Sequence, residues 1–552
     1  MSKAVSPLQS ARAGYQPKLP KVLAEHGANV VPKGTVATES VADREAISKL
    51  FPNIYGLPIL EFAAGVGSKS AHRVGVILSG GQAPGGHNVI AGIYDGLKAI
   101  SSESQLIGFR GGPSGLLFDD HVVFDDAFVD AYRNTGGFDI IGSGRTKLEK
   151  TEQFAKVVET CHRHQITGLV VVGGDDSNTN ACMLAEYCKT SGSGIGVVGV
   201  PKTIDGDLKN EWIEASFGFD TASKVYAELV GNIQRDANSA KKYWHFVKLM
   251  GRSASHIALE CALATHPNVT LISEEVEHEG LTLRGLVEEL AQVIKRRADA
   301  GKNFGVVLVP EGLIEFIPEL KKMIAELNEL MADQYFAQLN DDDDKHQFIA
   351  NKLSAESAKA FSSLPATIQR QLMMDRDPHG NVQVSRIESE KLLIDIVGDL
   401  LREWKARGIY TGTFSAQNHF FGYEGRCAAP SNFDADYCYT LGYTAALLLG
   451  SEKTGYLSSV RNLTRPASEW IAGGVPLTLL MNLERRHGKD KPVIKKALVD
   501  LEGRPFQRLV AHRQEWEEQD AYFYPGPIQY FGPTEVCDRP TETLLLERGQ
   551  SD

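Results

Sequence analysis

An α/β fold of two doubly wound halves with parallel sheets is predicted by three features of this 552-residue sequence. Short β-branched runs are almost continuously apolar, as strands buried on both faces of a parallel sheet must be. Each run ends in a glycine-rich or polar cluster. Helical stretches lie between the runs, the spacing that parallel crossovers require.

Taken in order, residues 1–72 carry Pro, Gly and Ser at intervals without a long periodic pattern, and read as an arm packed on the body with one helix around Ser40–Leu50. Strands are then predicted at Val74–Leu78, Leu106–Phe109, Asp139–Ile141, Leu169–Val172, Gly196–Val200, Phe246–Leu249, Val269–Ile272 and Val306–Val309. The stretch from about 318 to 407 changes character. Leu320, Met323, Ile324, Leu327, Leu330 and Met331 follow the spacing of an amphipathic helix, and Leu393, Ile396, Val397, Leu400, Leu401 and Trp404 repeat it. Asp341–Asp344 between them reads as a solvated loop, and the whole stretch as a helical insertion.

The charge balance is acidic, 70 Asp+Glu against 58 Lys+Arg. This argues against nucleic acid or an anionic membrane as partner, while leaving room for a locally basic pocket that takes anions. The N-terminus shows no apolar signal core, and the longest weakly polar run, Tyr437–Gly450, is short of the ~20 residues a membrane helix needs. Seven cysteines without a C-x-x-C pair read as free thiols in a reducing cytoplasm. No Cys/His cluster along the sequence suggests a protein-built metal cage.

Polar clusters at strand ends carry the chemistry, because open α/β sheets bind ligands beyond the carboxyl ends of their strands. Ser79–Asn88, with Gly80 and Gly81, offers backbone N–H groups to an anion, or is a tight strand–helix turn. Gly142–Lys147 adds Arg145 and Lys147 to a glycine turn, suited to phosphate or simply solvated. Val172–Ala181 crowds Asp175 and Asp176 behind Gly173 and Gly174; one carboxylate holds Mg²⁺, or Asp176 or Ser177 caps a helix. Lys202, Thr203, Asp205 and Asp207 bring a cation, a hydroxyl and two carboxylates within a few residues. Met250-Gly251-Arg252, Pro310-Glu311-Gly312 and Gly422-Tyr423-Glu424-Gly425-Arg426 are weaker turns of the same kind.

The ordered set S-G-G-x-A-P-G-G, G-G-D-D-S, P-K-T-I-D-G-D, M-G-R, P-E-G and G-Y-E-G-R resembles the 6-phosphofructokinases, and within them the long pyrophosphate-dependent form of plants, protists and some bacteria. The resemblance spans about residues 70–480 and includes Leu364-Pro365 and Asp377-Pro378-His379-Gly380-Asn381 in the insertion. It implies Rossmann-like halves and reversible phosphoryl transfer from pyrophosphate to fructose 6-phosphate. Asp205 is then the general base for the sugar 1-hydroxyl, with Thr203 and Asp207 around the acceptor, and Asp175 is the Mg²⁺ ligand. Gly80, Gly81, Arg145 and Gly174 touch the donor. Thr203, Ile204, Asp205, Met250, Gly251, Arg252, Glu311, Tyr423, Glu424, Gly425 and Arg426 line the sugar-phosphate pocket. Lys242 and Tyr243 are expected to reach the same pocket of a partner chain in a homodimer.

Departures from the ATP-using members mark the branch: those carry glycine where Asp176 and Lys202 stand and histidine where Tyr423 stands. Asp176 is therefore expected to exclude ATP and Lys202 to stabilise the pyrophosphate transition state. The implied domains are an arm (1–72), a donor domain (73–235) to which later segments return, a sugar-phosphate domain (236–317), the helical insertion (318–407), and a remainder of the sugar-phosphate domain with C-terminal helices (408–552). Two other readings stay open, an ATP-dependent enzyme and a catalytically silent regulatory subunit.

Overall fold

A computed structural model describes residues 5–331, 336–339, 341–374, 382–486, 489–528, 533, 535 and 538–550. The chain divides into two units, Met1–Ala222 with Tyr423–Ala497 and Ile528–Arg548, and Ser223–Gly422 with Leu498–Pro527 and Gly549–Asp552. The boundary at Ala222 falls within the helix Phe219–Ala240, ahead of the 235 expected from sequence.

Unit 1 is built on a ten-stranded sheet. Its strands are β1 (Val30–Ala37), β2 (Pro58–Ala64), β3 (Arg73–Leu78), β4 (Gln105–Phe109), β5 (His121–Val123), β6 (Gly168–Gly173), β7 (Gly196–Thr203), β8 (Phe217–Gly218), β13 (Tyr456–Arg461) and β14 (Ile471–Pro476). The order is β1-β2-β14-β13-β7-β6-β3-β4-β5, with β8 paired to the end of β7. The centre from β13 to β4 is parallel, and the flanks are antiparallel. Every residue of β6 is buried, as its unbroken apolar run requires. Tyr423–Ala497, grouped by the sequence with the 408–552 tail, belongs to this unit because β13 and β14 fill the sheet between β7 and β2.

Unit 2 carries a smaller, fully parallel sheet, β10-β11-β9-β12, of β9 (Trp244–Leu249), β10 (Val269–Thr270), β11 (Gly305–Pro310) and β12 (Ala416–Phe421). The two amphipathic patterns fold as the helices Pro318–Met331 and Ser389–Ala406. Their apolar faces, Leu320, Met323, Ile324 and Leu327 with Leu393, Val397 and Leu401, share one core with Trp244 and Phe246. The insertion is thus part of the packing that supports β9.

Four expectations need correction. The arm supplies β1 and β2 to the sheet edge, and its Ile47, Phe51 and Ile54 sit in the core beside Ile77 and Val171. Asp139–Ile141 is a turn closed by the Gly142 N–H to Phe138 O, where Gly142 (φ 67°) takes a left-handed conformation that no strand continues. Val269–Ile272 is a strand only at Val269–Thr270, because Ile272 already caps the helix Ser273–His278. Asp341 is an N-cap accepting from the Asp343 and Asp344 N–H groups; the acidic run opens a helix, where carboxylates favour the positive end of the dipole. Asp377–Asn381 lies outside the described residues. No helix among the described residues is long and apolar enough to cross a membrane. Cys161, Cys182, Cys188, Cys261 and Cys438 are buried free thiols and Cys427 is an exposed one, while Cys537 lies outside the described residues.

Candidate active site

Adjacent parallel strands β3, β6 and β7 end together in unit 1, so three polar turns meet there. The Ser79 N–H donates to Val172 O at 2.8 Å and the Gly80 N–H to Gly144 O at 2.9 Å, which ties the first turn to the third strand's neighbour and to the Arg145 loop. Ser177 Oγ and Ser79 Oγ are 2.8 Å apart. Gly80 has φ 83°, and a Cβ there would stand 3.3 Å from Lys202 Nζ. Next to it, a Cβ on Gly81 would stand 3.7 Å from Arg145 Nη2. Two cations therefore converge on a turn whose residues have no side chains, which leaves room for an anion between charge and backbone.

Asp175 and Asp176 open the helix Asp175–Thr190, whose N-cap is Gly174. Neither Asp176 nor Ser177 is the cap, so that simpler reading of the pair does not hold. Asn178 Nδ2 binds Gly173 O and Gly174 O and fixes the turn from behind. In the P-K-T-I-D-G-D loop, Thr203 Oγ1 accepts the Asp205 N–H at 3.0 Å, and Ser216 Oγ donates to Thr203 O. Ile204 is a buried core residue beneath the loop.

Burial is the largest force on the charges. It lowers the Lys202 pKa to about 8, with Asp205 and Asp175 opposing the shift and Arg145 and Arg426 assisting it. It raises the Asp207 carboxyl to about 7, with help from Asp205 and Asp175 and against the pull of Lys496. Lys496 was missed by sequence reasoning. Its ammonium lies 3.4 Å from Asp175 Oδ2. Burial works against its charge, but Asp175, Asp207, Asp176 and Asp205 together outweigh burial and raise its pKa. The segment is held on both sides: the Ile494 N–H donates to Thr179 Oγ1 and the Ala497 N–H to Asp207 O. Only the Lys495-Lys496 pair marked it in the sequence, far from the loops it serves.

Tyr423–Arg426 forms one short helical turn in unit 1. Arg426 lies over the Tyr423 ring at 5.0 Å, and its Nε is buried with no hydrogen-bond partner among the described residues. Tyr423 and Glu424 are exposed and Gly425 is buried.

Unit 2 brings Met250, Gly251, Arg252 and Glu311 together beyond the ends of β9 and β11. Glu311 Oε2 accepts the Gly251 N–H at 2.9 Å, and Arg252 Nε lies 3.5 Å from Glu315 Oε2. Glu311 thereby fixes the M-G-R turn. Lys242 and Tyr243 are not brought to this turn. They precede β9 while Met250–Arg252 follow it, and a six-residue strand separates them by roughly 20 Å.

The carboxylates Asp175, Asp176, Asp205 and Asp207 offer hard oxygen donors of the kind a small divalent cation takes. Cations beside a glycine turn, with carboxylates next to them, suit transfer of a phosphoryl group, where positioning and charge neutralisation supply most of the catalysis.

The Phosphofructokinase family profile matches residues 73–449. A pyrophosphate–fructose 6-phosphate 1-phosphotransferase of Porphyromonas gingivalis is 56% identical over 550 residues, covering 99% of this chain and 99% of the relative. One of the same description from Treponema pallidum is 58% identical, covering 99% and 97%. The crystal structure of a pyrophosphate-dependent phosphofructokinase from Nitrosospira multiformis superposes with a TM-score of 0.54 at 18% identity, over 85% of this chain and 97% of that one. That likeness speaks for the fold, and the sequence relatives extend it over the whole length. The chain belongs to the phosphofructokinase family.

Proposed function

We propose that this protein is a pyrophosphate–fructose 6-phosphate 1-phosphotransferase, a reversible enzyme that makes fructose 1,6-bisphosphate and phosphate. The convergence of Lys202 and Arg145 on the Gly80-Gly81 turn, beside Asp175 and Asp207, carries the reading. Asp205 takes the proton of the sugar 1-hydroxyl as its oxygen attacks the donor phosphorus. Lys202 neutralises the leaving phosphate, and Thr203 and Asp207 shape the acceptor side of the loop. In unit 2 Arg252, with Met250, Gly251 and Glu311, and in unit 1 Arg426, with Ile204, Tyr423, Glu424 and Gly425, are the groups assigned to the sugar phosphate, the two arginines by charge-assisted hydrogen bonds. Gly80, Gly81, Arg145 and Gly174 take the donor.

Family members need a divalent metal, and Mg²⁺ is proposed here, held by Asp175 among the neighbouring carboxylates. The site fits it, because Asp205 and Asp175 stand close enough to Asp207 to add to the rise that burial gives its carboxyl, which gathers hard oxygen donors at one place. When bound, Mg²⁺ supplies neutralising charge on the phosphate oxygens. A homodimer is proposed as well, in which Lys242 and Tyr243 serve the partner's sugar pocket, since their own strand holds them away from Arg252. Free thiols suit the cytoplasm as its location.

Donor choice tests the reading. Asp176 stands where a nucleotide's α-phosphate would approach the backbone. Two unit charges ~4 Å apart at an effective dielectric of ~20 repel by about 4 kcal/mol, roughly a thousandfold against ATP. Purified protein should turn over with pyrophosphate and scarcely with ATP, and Asp176→Gly should weaken pyrophosphate use while relieving part of the block. Equal turnover with both donors would establish an ATP-using enzyme, and no turnover with either a silent subunit.

A further inference from the structure

Sequence spacing gave no hint of a histidine cluster, yet the fold assembles one. Asp119, His121 and His164 offer one ligand atom each, and these atoms all lie within 4.8 Å of one another. We propose that they form a second metal site in unit 1, separate from the phosphoryl-transfer carboxylates and selective for Zn²⁺-like transition ions over Mg²⁺.

Each ligand is held by the backbone. Asp119 ends the helix Pro113–Phe118 in a left-handed conformation (φ 59°), and the next N–H, of Asp120, donates to Gly115 O. His121 opens β5 and is registered opposite Phe109 of β4. His164 caps the end of the helix Thr151–Arg163. Asp119 Oδ1 lies 2.6 Å from His164 Nε2 and 3.2 Å from His121 Nδ1. The imidazole centroids are 4.2 Å apart, and the buried Phe109 ring lies 6.0 Å from one and 6.5 Å from the other, forming an apolar floor. A tetrahedral ion with ligand bonds of ~2.0–2.2 Å sets its donors about 3.3 Å apart. Opening the Asp119–His164 pair by less than an ångström, with the two imidazole nitrogens, within 4.8 Å of each other, brought to the same spacing, seats it.

The surroundings favour a cation. Arg163 Nη1 holds the other carboxylate oxygen, Asp119 Oδ2, at 2.7 Å, so Oδ1 stays aimed at the imidazoles, in the manner of an outer-shell partner. Arg163 is itself paired with Glu159, and Arg110 with Asp120. Three carboxylates against two guanidiniums leave the patch with negative charge in excess. The ligand side chains are 18–29% exposed, so an ion enters from solvent and keeps open positions for water. Two imidazoles with one carboxylate suit Zn²⁺, Co²⁺ or Ni²⁺; Mg²⁺ prefers oxygen and keeps its waters. The alternative is a hydrogen-bonded Asp–His–Arg network that takes no ion.

Calorimetric titration of chelator-treated full-length protein with Zn²⁺, in excess Mg²⁺ to fill carboxylate-only sites, separates the two. Wild type should take up one equivalent, and His164→Ala and His121→Ala should each weaken uptake at least tenfold while phosphotransferase turnover is unchanged. Absence of uptake, or uptake equal in wild type and both variants, overturns the proposal. Should either variant misfold, Co²⁺ bound to wild type gives the answer. Intense visible ligand-field absorption of a low-coordinate nitrogen-containing site supports the assignment, and the pale spectrum of an octahedral oxygen site refutes it.

Discussion

Asp207 in the strand-end loop and Asp434 in the helix Asn432–Gly450 are two of the aspartates of unit 1 whose carboxyl groups burial raises to about 7. Their partners differ. Asp434 accepts from the Gly218 N–H, the Thr221 N–H and Thr221 Oγ1, three donors fixed by the fold, and is crowded by Asp220. Asp207 is crowded by Asp205 and Asp175, and its relief comes from the ammonium of Lys496 on a coil segment. A shifted carboxyl is thus no mark of chemistry by itself. The core aspartate is satisfied by the protein, whereas the loop aspartate sits among charges that an incoming cation and anion would rebalance.

The largest expected contrast is catalytic. Asp205→Ala should lower turnover on the order of 10²–10⁴-fold with sugar-phosphate affinity largely kept, while Asp434→Asn should leave turnover per folded molecule near wild type. A less than tenfold loss for Asp205→Ala would remove it from the role of base.

Stability should reverse the ranking. Asp434→Ala strands the buried Gly218 and Thr221 N–H groups at about 1 kcal/mol or more each and leaves the Thr221 hydroxyl only its longer bond to Ser431 Oγ, so chemical denaturation should show a loss of about 2–3 kcal/mol. Asp207→Ala removes like-charge crowding and should cost under about 1 kcal/mol. Equal losses would mean that both carboxylates are structural.

The smallest effect is a pH limb. Lys202, lowered to about 8 chiefly by burial, is charged below that pH and neutral above it. The specificity constant for pyrophosphate should hold below pH 8 and fall up to tenfold per unit above. For the unliganded protein the sign is opposite. The penalty for burying the ammonium is fully present below pH 8 and relieved as pH climbs toward the ordinary lysine value of ~10.4. Lys202→Met should therefore be more stable than wild type at pH 7 and converge with it at high pH. A flat rate profile to pH 9.5 would show that Lys202 carries no charge essential to the donor.

Much of this was legible. Buried parallel strands announce themselves as apolar runs, and β3, β6, β7, β9 and β11 lie where those runs stand. The loops that follow them were found because glycine, lysine and aspartate are rarely placed together for packing alone. What stayed hidden depends on distant partners. β1, β2 and β14 are flank strands, partly exposed or glycine-containing, β13 is a buried strand interrupted by Ser458 and Ser459, and the pairings β2–β14 and β7–β13 that place them join segments hundreds of residues apart. Lys496 and the His121–His164 pair carry no local pattern and become a site only through the sheet that gathers them.

The sheet order β2-β14-β13-β7 has a consequence for biogenesis. After Thr203 leaves the ribosome, roughly 250 residues must follow before Tyr456 emerges, about 10–50 s at ~5–20 residues per second. Throughout that interval the parallel edge of β7 has no β13 to pair with, and the β1–β2 hairpin has no β14 to dock on. Unit 2 is threaded entirely within this pause, from Ser223 to Gly422, apart from its C-terminal segments. A nascent chain stalled before β13 would expose the open edge of β7, most of whose residues are buried in the finished sheet, the species a holdase must shield if the enzyme is to mature rather than aggregate.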